Sequence, residues 1–182
     1  MKKIISAIML AILIMIPNKV YGEEKEVTIY MFRGETCGHC EQALNDMNEN
    51  RKMFGDNIKI VTYEVWNDED NAKLQKKISE KLKVKKDYVG SVPFIVIGDK
   101  YYVGYGGKED LEKFAKVASN YLTNGKYKDV VKKEIKKSDI DVTATTLDDI
   151  YGKPNATLNA IIYVVFGLIV LGIAVMIIFS RK

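Results

Sequence analysis

Residues 27–40 read VTIYMFRGETCGHC. The run VTIYMF at 27–32 is short, continuous and apolar, which suits a strand buried on both faces. Cys37 and Cys40 follow, three apart, and the chain of 182 residues holds no other cysteine. Without a third thiol, neither a second structural bridge nor a thiolate-rich metal site can form. A Cys-x-x-Cys opening a helix after a β-strand is the arrangement that thiol–disulfide exchange needs. At a spacing of i, i+3 both sulfurs fall on one helical face, close enough for a reversible disulfide. The first sulfur lies at the helix N-terminus, where unpaired backbone N–H groups and the positive dipole end favour its thiolate.

Downstream of this unit the pattern alternates. From Cys40, the apolar positions Ala43, Leu44, Met47 and Phe54 keep helical spacing until Gly55 ends the segment. Residues 58–66 are rich in β-branched and aromatic side chains and predict a second strand. Asn67 or Asp68 can cap the next helix, whose face Leu74, Ile78 and Leu82 repeats every four residues. Residues 94–97 and 101–103 flank Gly98-Asp99, a pair that suits a tight hairpin with glycine at the positive-φ position. Leu111, Phe114, Ala115, Ala118, Tyr121 and Leu122 then form a last helical stripe. The order β-α-β-α-β-β-α predicts an α/β fold, with a mixed four-stranded sheet flanked by helices.

The two ends speak of location. Lys2 and Lys3 precede an apolar stretch at 4–16, and Val20-Tyr21-Gly22 offers residues that a signal peptidase accepts, so residues 1–22 read as an export signal. The same stretch would also serve as an uncleaved anchor. Residues 158–179 carry no charge; as a helix they span about 33 Å, enough for a hydrocarbon core of about 30 Å. Arg181 and Lys182 follow directly, which places residues 180–182 in the cytoplasm and the preceding domain outside. Membrane lipid is therefore expected as a partner of the C-terminal helix.

This organisation gives a domain at 23–122, a lysine-rich helix and polar stalk at 123–157, and a transmembrane helix at 158–179. The lysines of the stalk read as a solvated face. The formal charge of +4 shrinks once the signal is set aside, to 25 basic against 24 acidic residues. Nucleic acid is not an expected partner on that balance. Trp66 and the tyrosines are assigned to the core or rim of the sheet.

Over residues 27–122 the chain resembles the thioredoxin-fold superfamily, in particular its membrane-tethered bacterial thiol–disulfide oxidoreductases. Three features carry the resemblance, in the right order: the strand–CGHC–helix unit, the Ser91-Val92-Pro93 turn leading into a strand, and the glycine pair before the last helix. Gly106-Gly107-Lys108-Glu109-Asp110-Leu111 is similar to the GGxxDL stretch of glutaredoxins. The dipeptide between the cysteines is that of protein disulfide isomerases.

The resemblance implies roles for individual residues. Cys37 would be the exposed nucleophile and Cys40 the buried resolving thiol, together forming the redox-active disulfide. His39, between them, would stabilise the Cys37 thiolate as an imidazolium, lower its pKa and so favour the reduced dithiol, which makes the couple oxidising. Pro93 would be cis and face the cysteines, while Val92 would offer its backbone to an extended substrate. The family often buries an acid six residues before the first cysteine; here that position is Met31, and Glu35, Glu41 and Glu64 are the candidates to replace it. No cofactor is expected and no metal, since a closed zinc site needs four ligands and His39 is the sole histidine.

The expected function is an extracytoplasmic, membrane-tethered thiol–disulfide oxidoreductase acting on cysteines of exported proteins, as oxidase or isomerase rather than reductase. The anchor helix has no cysteine, so electrons must pass to a separate membrane redox partner. The competing reading is a non-enzymatic accessory or binding module of a membrane export complex.

Overall fold

The computed structural model describes residues 26–153 together with 161, 163–170 and 172. Strand β1 (Val27–Arg33) is buried along almost its whole length, as its apolar run requires. It lies at the centre of a five-stranded sheet of order β4-β3-β1-β2-β5. Strand β2 (Ile58–Glu64) pairs parallel to β1. Strand β3 (Phe94–Ile97) pairs antiparallel to β1, and β4 (Lys100–Val103) antiparallel to β3. The hairpin turn is Gly98-Asp99, with Gly98 at φ +64°, a conformation that glycine adopts without steric cost.

Alternation along β1 assigns side chains to two cores. Val27, Ile29 and Met31 face one cluster, built with Cys40, Ala43, Leu44 and Met47 of helix α1 (Gly38–Glu49) and with Leu111, Phe114 and Ala118 of helix α4 (Lys108–Asn124). Tyr30 and Phe32 face the other, with Leu74 and Ile78 of helix α3 (Glu69–Lys81) and Phe94 and Val96 of β3. Asp68 caps α3, its carboxylate accepting from the N–H groups of Asp70 and Asn71. The helix expected to run unbroken from Cys40 to Phe54 instead stops at Asn50, whose side chain donates to the Asp46 carbonyl at 2.8 Å. Arg51–Phe54 forms a separate turn, α2, so that the apolar spacing survives while the axis does not.

Two expectations are corrected here. The sheet has five strands and not four, and residues 138–151, expected within the polar stalk, pack onto the domain; the lysine-rich helix expected before them is present and packs too. Helix α5 (Val130–Ile135) buries Val131 completely in the second cluster. Strand β5 (Ala144–Thr146) pairs antiparallel with β2, in the register Thr62↔Thr145. Helix α6 (Leu147–Tyr151) places Leu147 in the first cluster and opens with a capping box between Thr146 and Asp149. The cause is visible in the residues. Val130, Val131 and Ile135 make one short apolar turn among lysines, and Leu147 stands among threonines and acids, so neither leaves a long periodic stripe. Pairing covers the edge of β2, which would otherwise be open.

Among the described residues no helix is long and apolar enough to cross a membrane. The expected signal segment 1–22 and most of the expected span 158–179 lie outside the described residues; of that span, residues 161, 163–170 and 172 are helical.

Candidate functional site

The sheet order brings five connections to one end of the molecule: those following β1, β2 and β4 and those leading into β3 and β5. Cys37 stands at the centre of this end. It is the N-cap of α1, with an extended backbone (φ −81°, ψ 104°). Its carbonyl accepts from the N–H groups of Cys40 and Glu41 at 3.0 Å each. Its Sγ accepts from the Cys40 N–H at 3.2 Å. A sulfur at an N-cap therefore receives one of the donors that the first helical turn leaves unpaired.

Cys37 and Cys40 form a disulfide with S–S 2.10 Å and Cα atoms 5.2 Å apart. The two sulfurs are not equivalent. Cys40 is 1% exposed inside the first core cluster, whereas Cys37 is half-buried on its rim. His39 is exposed at the second position of α1, between the cysteines.

The Val92-Pro93 peptide bond is cis. Phe32 pairs with Phe94 across β1 and β3, so Pro93 stands at the strand end beside the turn that carries Cys37. Val92 is half-buried and, like Cys37, packs on the rim of the first cluster. The loop is braced from two sides: Gln75 Nε2 donates to the Ser91 carbonyl at 2.8 Å, and the Gly104 N–H donates to the Pro93 carbonyl at 2.8 Å. At the adjoining start of α4, the Asp110 carboxylate accepts from the Gly106 N–H at 2.8 Å, capping the glycine pair from within the chain.

The acid candidates separate. Met31, fully buried, faces Thr62 across β1 and β2. Thr62 Oγ1 and Arg33 Nε are buried without a protein partner, and alternation places both on the α1 side of the sheet. Glu41 is exposed; so is Glu35, whose carboxylate accepts from Asn67 Nδ2 at 2.6 Å. Glu64 accepts from the N–H groups of Trp66 and Asn67 at 2.9 and 2.8 Å. Burial works to raise the Glu64 carboxyl, yet these backbone donors and the charge of Arg33 hold it below the usual carboxylate range. It is a fixed carboxylate that shapes the loop after β2.

Sequence reasoning assigned Trp66 to the core or rim of the sheet; it lies on the rim, and the contact it makes there was not foreseen. The indole is 53% exposed and lies over Gly34, where a Cβ would come within 2.3 Å of the ring. The only signals for this placement were a tryptophan just past β2 and a glycine just past β1. A cleft of about 670 Å³ between α2, the start of β2 and α6 lies at the other end of the sheet and touches none of these residues.

Comparison of the chain with protein-family models, with curated proteins and with solved structures gives no match.

Proposed function

We propose that this protein is a thiol–disulfide oxidoreductase of thioredoxin-like fold, held at the membrane by residues 158–179 with its α/β domain on the extracytoplasmic side. Its substrates are cysteines of exported proteins. The observation that carries this reading is the asymmetry of the cysteine pair. Cys37 caps the helix at the rim, Cys40 is enclosed in the core, and the Val92-Pro93 turn stands at the neighbouring strand end.

In the oxidising direction a client thiolate attacks Cys37 Sγ. The Cys37–Cys40 bond breaks, a client–Cys37 disulfide forms, and Cys40 departs as a thiolate that is then protonated. A second client thiolate attacks the client sulfur of that bond and releases the Cys37 thiolate. The two client thiolates pass two electrons to the pair, the proton on Cys40 comes from solvent and Cys37 is left as a thiolate; a membrane redox partner bearing a disulfide takes the two electrons and restores the Cys37–Cys40 bond. Attack by the reduced Cys37 on a client disulfide, followed by return, gives isomerisation. The helix N-terminus stabilises Cys37 as a leaving thiolate in both. Burial of Cys40 favours intramolecular over intermolecular attack by that sulfur, so mixed disulfides are short-lived.

The test is a trap. Cys40→Ala in the full chain removes the resolving sulfur, and acid-quenched cells should then show protein adducts on Cys37 that disappear on reduction. Absence of any adduct overturns protein-directed exchange and favours a non-enzymatic binding module.

A further inference from the structure

Resting on that function, we propose that Trp66 selects the client. It forms the β2-side wall of the site, and it favours an extended segment whose reacting cysteine is flanked by an apolar side chain and a lysine or arginine. Strand order supplies the frame. β1 lies between β2 and β3, so Cys37, which follows β1, has Trp66 on one side and Val92-Pro93 on the other.

The indole is exposed, yet it is held in place. The segment that carries it is fixed: the Trp66 backbone N–H donates to Glu64 Oε1 at 2.9 Å, the Asn67 backbone N–H to Glu64 Oε2 at 2.8 Å, and the Asn67 side chain to Glu35 in the turn before Cys37 at 2.6 Å. Its ring rests on Gly34, whose carbonyl accepts from the Cys37 N–H at 3.4 Å. Gly34 does not hold a positive φ, so the backbone there asks for no glycine. The indole occupies the space that a side chain there would need. One part of the ring packs on Gly34 and the rest, 53% exposed, stays open at the end of the sheet that carries Cys37, where an apolar client side chain can cover it.

Charge sets the second preference. Glu64 and Glu35 accept from the Trp66–Asn67 segment, Asp68 and Glu69 follow it directly in the chain, and Arg33 sets one positive charge against Glu64. Such a rim attracts a cationic segment and repels an acidic one.

The experiment uses the full chain in detergent and three peptide disulfides. In the first the cysteine is flanked by phenylalanine and lysine, in the second by serine and lysine, in the third by phenylalanine and aspartate. The first should exchange about ten-fold faster (as kcat/KM) than the second, and several-fold faster than the third. Trp66→Ala should abolish the phenylalanine preference while keeping the lysine preference; Trp66→Phe should retain both. Gly34→Ala, which displaces the ring without removing it, should weaken the phenylalanine preference. Trp66 is the sole tryptophan, so a cysteine-to-serine version of the first peptide should shift its emission on binding. Equal rates for the first two peptides, or an undiminished preference in Trp66→Ala, overturn the role of Trp66. Equal rates for the first and third overturn the charge preference. If no peptide exchanges at all, the proposed protein-directed chemistry fails, and this inference with it.

Discussion

The Tyr30 hydroxyl, on the central strand, donates to Asp129 Oδ2 at 2.8 Å across 99 residues of chain. Asp129 also caps α5 through Oδ1, which accepts from the Lys132 N–H at 2.8 Å. Beside it the Tyr127 hydroxyl accepts from the Thr28 N–H at 3.0 Å. One carboxylate thus fastens the segment after α4 to the middle of the sheet. Asp129→Ala removes a helix cap and orphans a hydroxyl on a residue only 6% exposed. The unfolding free energy should fall by about 2–3 kcal/mol in urea titrations. Asp129→Asn keeps one acceptor oxygen for the cap of α5 and sets an NH2 group against the Tyr30 hydroxyl, which can then accept instead, and should lose less than Asp129→Ala.

The boundary of the folding unit follows from the same contacts. A fragment ending at Leu122 lacks α5, β5 and α6, uncovers β2 and empties the places of Val131 and Leu147. A fragment of residues 23–153 should unfold in one cooperative transition, whereas residues 23–122 should melt at least about 10 °C lower or aggregate through the open edge. Equal melting temperatures would restore the boundary that the sequence suggests.

Asn71 explains why that boundary was not legible. It continues the Leu74–Ile78 stripe of α3 towards the N-terminus and is 1% exposed, yet it is polar. Its amide group pairs with the backbone of Thr143, donating to the carbonyl at 3.0 Å and accepting from the N–H at 3.1 Å. Sequence periodicity shows a polar residue on an apolar face but cannot supply a partner 72 residues away. The first four strands, three long helices, the cysteine turn and the glycine hairpin were all readable, because each is set by local period or by the conformational needs of one residue. The fifth strand is held by isolated anchors and side-chain-to-backbone bonds, which have no period. The contact of Trp66 escaped for a related reason: it needs a missing side chain at Gly34, in the turn after another strand. Asn71→Leu should cost about 2 kcal/mol, since two backbone groups at the start of β5 lose their partner, and should accelerate amide exchange across Thr143–Thr146. Unchanged exchange there would show that Asn71 does not hold the strand.

Alkaline pH should open the second core. Burial, helped by the charge of Asp129, pushes the Tyr63 phenol up to about 12. Burial and the same carboxylate move Tyr30 in that direction too. An unfolded tyrosine ionises near pH 10. Between these values the native state keeps protons that the unfolded chain gives up, so unfolding releases protons. Stability from these tyrosines is thus fully present below about pH 10 and falls as pH rises towards about 12. Urea midpoints measured across that interval should decline while those between about pH 7 and 9 stay level. A midpoint that holds through the interval would mean that the phenols ionise in place.

On the proposed chemistry, His39 would set the direction of exchange. It is exposed at the second position of α1, one residue from Cys40 and two from Cys37. A positive imidazole at that position adds to the helix N-terminus and favours the reduced Cys37 thiolate over the disulfide, which makes the couple more oxidising. His39→Ala should therefore shift the potential to more reducing values, by tens of millivolts as an order of magnitude. Equilibration of the full chain with redox buffers, read by thiol alkylation, measures it. A potential that ignores the substitution would remove the electrostatic argument for an oxidase or isomerase and leave reduction of client disulfides as the better reading of the same site.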